Sequence, residues 1–162
     1  MQYQSASEYF YKLYARLFVL VLVPLIAFLF LFLAVTTGHL SNPLGVDGQS
    51  VVWLRYVFLF VFVADWTLAF QYYRRSLKPV RTLVSLADRL NRYYYLVSIR
   101  FVIIITGLVL LAAGYYLLAD EVLAGIFITS LLLLVLIWPF PGRVASHLHL
   151  KGDEQRWVRD WK

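Results

Sequence analysis

A sequence of 162 residues has room for one domain, and its 62% hydrophobic content stands well above the about 45–50% of a soluble domain. The formal net charge of +6 comes from Lys and Arg flanking apolar runs, a pattern that sets membrane orientation and argues against nucleic acid as a partner. Cysteine is absent, which excludes disulfide frameworks, thiol catalysis and iron–sulfur ligation.

Residues 17–37 hold no ionisable group, and a helix of that length rises about 30 Å, the thickness of a bilayer's hydrocarbon core. Pro24 inside it is tolerable in a membrane helix, where neighbours satisfy the freed carbonyl. The run is longer than a signal-peptide core and no clear cleavage site follows, so an uncleaved first span is expected. Residues 39–50 are rich in Gly, Asn, Pro and Asp and read as a short loop.

The second span is expected over 51–73. Arg55 and Trp53 near its start are expected as interface anchors, with the Arg55 side chain reaching the nearer headgroups. Asp65 lies well inside the span and is too short to reach water. Residues 74–96 form the expected cytoplasmic loop. Within it Pro79 is expected to open an amphipathic helix running to about residue 93, with Val80, Leu83, Val84, Leu86, Ala87 and Leu90 on one side. Its other side carries Arg81, Ser85, Asp88, Arg89 and Arg92, suited to anionic lipid headgroups.

The third span is expected over 97–119 and the fourth over 122–138, separated by the polar turn Asp120-Glu121. Two prolines and a glycine at 139, 141 and 142 end the last helix. Apart from Arg55, every Lys and Arg lies before span one, between spans two and three (counting Arg100), or in the tail 139–162. That asymmetry predicts four spans with both termini cytoplasmic. The expected fold is therefore all-α: a four-helix integral membrane bundle of two hairpins, with a cytoplasmic interfacial helix between spans two and three. A bacterial plasma (inner) membrane is the expected location.

Asp65 and Arg100 sit at similar distances inside their expected helix ends, so they are expected to form a buried charge pair. An ion or proton path through Asp65 is the competing reading. Gly107 and Gly114, one heptad apart, are expected to give the closest helix packing. In the tail, Trp157, Val158 and Trp161 share one face of a short helix, and the two tryptophans are expected to anchor it on the membrane interface, on a cytoplasmic partner or on the 79–93 helix.

His39 belongs to the external loop, while His147 and His149 belong to the tail. No metal site or haem is expected from them, and no cofactor is implied. Familiar catalytic motifs are missing, so no enzyme activity is expected. The expected function is that of a small inner-membrane accessory or scaffold protein, acting through helix packing and cytoplasmic contacts. The alternative is a small transporter or channel with Asp65 in its path. The bilayer and its anionic headgroups are the expected partners, together with a second protein or further copies of the chain.

Overall fold

The computed structural model describes residues 5–38 and 48–159; His39 and Trp161 lie outside them. It is all-helical, in the order α1 (Ala6–Thr36), α2 (Gly48–Arg81), α3 (Leu86–Leu118), α4 (Glu121–Leu136), α5 (Pro141–His147) and α6 (Gly152–Arg159). Three of these, α1 to α3, are long and apolar enough to cross a membrane, and the count becomes four if α4 and α5, bent by 72° at their break, are one span.

Local chemistry sets most of the ends. The Ser5 hydroxyl accepts from the Glu8 N–H at 3.2 Å, and the Glu8–Lys12 pair adds an i,i+4 contact on the first turn. Asp120 caps α4 by accepting from the Val122 N–H at 2.9 Å. Between α3 and α4 only Ala119, in the left-handed region at φ 51°, and Asp120 intervene, so the connection is a tight reversal. The hydroxyls within the apolar stretches donate back into their own helices: Thr106 to the Val102 carbonyl, Thr129 to Gly125 and Ser130 to Ile126. None of these three hydroxyls is left to compete for a neighbouring helix.

The 79–93 helix does not form as a separate element. Residues 79–81 finish α2, a short turn follows, and α3 begins at Leu86. Pro79 sits two residues before the last residue of α2, where it costs one ladder bond in the final turn. Ala69, Tyr73, Leu77 and Val80 form a continuous buried stripe through this region, and its burial outweighs the preference of proline for a helix start.

The third helix is the hub. Leu90, Tyr93, Val97, Phe101, Ile104, Leu108, Leu111, Tyr115 and Leu118 recur at intervals of three and four and are all buried. The close helix approaches in the long bundle are α1, α2 and α4, each against α3. Phe28 of α1 stacks on Phe127 of α4 at 4.0 Å between centroids and also meets Tyr115 of α3. Burial differs accordingly: 56% of the most apolar window of α3 is buried against 11% for α1 and 6% for α2, so the outer two helices turn most of their apolar surface away from the protein.

Gly107 and Gly114 face α2. A Cβ at Gly114 would stand 3.0 Å from both Phe58 and Leu123, and one at Gly107 would stand 3.2 Å from an Asp65 carboxylate oxygen and 3.3 Å from Phe62. Gly125 has nothing within 4 Å of such an atom. Gly114→Val should therefore destabilise the bundle by about 1–3 kcal/mol through overpacking, whereas Gly125→Val should not. Thermal unfolding of the two variants in detergent checks this; equal midpoints would contradict the packing.

Candidate functional site

The same glycine contacts fix the register of α2 against α3: Asp65 lies opposite Gly107 and Phe58 opposite Gly114. Asp65 is thus seven residues along α3 from Arg100, about 10 Å at the helical rise. Among the described residues no ion pair joins the two. The expected buried pair is not made, because matched distances from presumed helix ends misjudged the register. One Asp65 oxygen is enclosed and accepts no hydrogen bond from the described residues, and the same holds for the neighbouring Trp66 indole N–H as a donor.

Arg100 instead belongs to a polar knot at the end of the bundle that carries the α2–α3 turn. Its guanidinium lies 4.5 Å from the centre of the Tyr73 ring, a cation–π contact. The Tyr73 and Tyr93 hydroxyls converge on His147 Nδ1 at 2.8 and 3.1 Å, and Tyr73 also donates to the Tyr93 hydroxyl at 3.3 Å. Arg81 Nε donates to the His147 backbone carbonyl at 2.7 Å. Side chains from α2 and α3 therefore hold the last residue of α5. Burial, followed by the positive charges of Arg100, Arg81 and Arg143, pushes the His147 imidazole below its usual range and favours its neutral form. A neutral ring protonated on Nε2 offers the single Nδ1 lone pair to one hydroxyl, and with Tyr73 donating to Tyr93 that donor is Tyr93.

At the opposite end, Arg55 Nε bonds Asp120, whose side chain is only 3% exposed. Arg55 therefore does not reach outward as an isolated anchor, although Trp53 beside it is 69% exposed. Asp120 does two things at once: one oxygen caps α4 while the other takes Arg55 from α2. A signal for this pair was available. Arg55 is the lone basic residue outside the three basic segments, and Asp120 is an acid in one of the loops without Lys or Arg.

The tail docks on the protein's own helices. Val158 of α6 is fully buried, Trp157 packs partly buried against the core, and Glu154 meets Arg89 of α3 at 2.5 Å. Arg89 lies on the stretch that was expected to form the 79–93 helix, and Glu154 of α6 meets it there. On α2, Gln71, Arg74, Arg75, Lys78 and Arg81 line a shallow cleft at the same end. Among the described residues, Arg74, Arg75 and Lys78 have no acidic partner.

Together these features define an all-helical protein with several long apolar helices, compatible with a membrane protein. No protein-family model, curated protein or solved structure matches the chain.

Proposed function

We propose that this chain is a small integral protein of the bacterial plasma (inner) membrane, with four spans and both termini in the cytoplasm. It works as an accessory or scaffold protein, through helix packing and cytoplasmic contacts and without catalytic chemistry of its own. The observation that carries this reading is the assembled end of the bundle. Tyr73, Arg81, Arg89, Tyr93, His147 and Glu154 tie α2, α3, α5 and α6 together there, giving a formed basic platform on the side where the basic residues accumulate. The outward apolar faces of α1 and α2 suit lipid or partner helices. Affinity purification of the tagged chain from native membranes should recover one protein at fixed stoichiometry, and should lose it when Arg74, Arg75 and Lys78 are all changed to Gln. Recovery of the chain alone, after cross-linking in intact cells, would remove the scaffold reading.

A second reading, a small transporter or channel built from several copies, is favoured by Asp65, whose enclosed oxygen has no partner among the described residues. An acid kept without a counter-charge in an apolar stretch is a feature of ion and proton paths. Proton or cation flux into liposomes that is lost in Asp65→Asn would support it; liposomes carrying the wild-type chain that stay tight would count against it.

A further inference from the structure

Between α2, α3 and the end of α4 lies a cleft of about 370 Å³ lined by Trp66, Thr67, Phe70, Arg100, Ile104 and Ile137. Its walls are almost wholly apolar, and the exception is a cation. Arg100 has no carboxylate within ion-pair distance among the described residues, its Nε has no acceptor, and the Tyr73 ring is its one described contact of opposite character. A cation–π contact offsets only part of the cost of withdrawing a guanidinium from water. The Trp66 indole N–H, on the same wall, also lacks an acceptor. The Thr67 hydroxyl is already used by the Val63 carbonyl. The Arg74 guanidinium, 4.6 Å from the centre of the Phe70 ring, lines the separate basic cleft on α2.

We infer that this cleft binds one anionic phospholipid of the cytoplasmic leaflet. A cation in an apolar slot that is short of acceptors matches a phosphodiester with acyl chains attached. The phosphate pairs with Arg100, an ester carbonyl accepts from Trp66 deeper in the slot, and an acyl chain lies along Phe70, Ile104 and Ile137. Guanidinium favours this role because its forked donors match phosphate oxygens. The inference rests on the reading of these helices as membrane spans, and not on the scaffold role.

The test uses the full chain purified in mild detergent, offered phosphatidylglycerol or phosphatidylcholine, with retained lipid counted by native mass spectrometry. The wild-type chain should keep one phosphatidylglycerol and prefer it to phosphatidylcholine. Arg100→Gln should weaken retention roughly tenfold, the loss of a charge-assisted contact, and Trp66→Phe about threefold. Arg156→Gln, which removes an exposed cation far from the cleft, should change nothing. Circular dichroism shows whether each variant keeps its helices; if Arg100→Gln does not, Trp66→Phe decides. Equal retention of phosphatidylglycerol by wild type and Trp66→Phe would overturn the site, as would equal retention of the two lipids by the wild type. Displacement of the lipid by millimolar inorganic phosphate would assign the cation to a free anion and overturn the lipid. A chain released from membranes by alkaline carbonate would instead overturn the span reading itself.

Discussion

Asp120→Ala is expected to destabilise the protein by about 2–4 kcal/mol, a large effect for a position in a two-residue connection. The change removes the helix cap of α4, worth about 1 kcal/mol, and leaves the Arg55 side chain, 30% exposed, without its counter-charge. A fully buried lone charge costs about 3–5 kcal/mol, and the partial exposure of Arg55 lowers that figure. Asp120→Asn separates the two contributions, since its amide oxygen still accepts from the Val122 N–H but carries no charge. It should fall between wild type and Asp120→Ala. Thermal unfolding in detergent measures all three; an Asp120→Ala midpoint equal to that of wild type would show that Arg55 finds water as readily as it finds the carboxylate.

His147→Ala should cost about 1–3 kcal/mol, because the almost wholly buried Tyr93 hydroxyl loses its acceptor. The same residue predicts a pH dependence. Its pKa in the folded protein is depressed from the ordinary value of 6.5, so the unfolded chain binds the proton more readily. Stability from this group is fully present above about pH 6.5, where both states are neutral. It declines as the pH falls below that value and levels off once the folded ring also takes a proton. Protonation of Nδ1 turns an acceptor into a donor, so one hydroxyl loses its partner. His147→Gln should flatten the dependence between pH 6.5 and the lower plateau. If wild type and His147→Gln lose stability in parallel across that range, the acid sensitivity resides elsewhere.

The amino-acid pattern carried the helices better than it carried their pairing. The uncharged runs within 17–37 and 101–119 and the proline stop at 139 describe the C-terminal ends of α1, α3 and α4 closely, because hydrophobic length and proline chemistry act locally. Pro79 misled for the same reason: the local rule favours a helix start, whereas Leu77 and Val80 gain enough from burial to carry α2 past it. Charge pairing was harder still. An ion pair tolerates an error of an ångström or so, and the register of α2 on α3 is set by how Phe58 and Phe62 seat over Gly114 and Gly107, not by distance from a helix end. Two turns of error exchange Arg100's neighbour from Asp65 to Tyr73. The Tyr73, Tyr93 and His147 knot joins residues with separations of 20, 54 and 74, and no spacing within the sequence connects them. His147 was legible only as half of a His-x-His pair, whereas its use here is as an acceptor for a tyrosine hydroxyl.

The position of α3 as hub has a consequence for biogenesis. The close approaches of α1 and α2 are to α3, not to each other, so a chain emerging from a ribosome offers its first two helices to the bilayer before their common partner exists. Under the proposed membrane reading, they would insert as independent spans. The third helix assembles both as it enters, bringing the glycine notches that seat Phe58 and Phe62 and the buried stripe that receives Tyr9, Phe10 and Leu13. On the same reading, a chain truncated after residue 85 would lack the helix on which α1 and α2 pack.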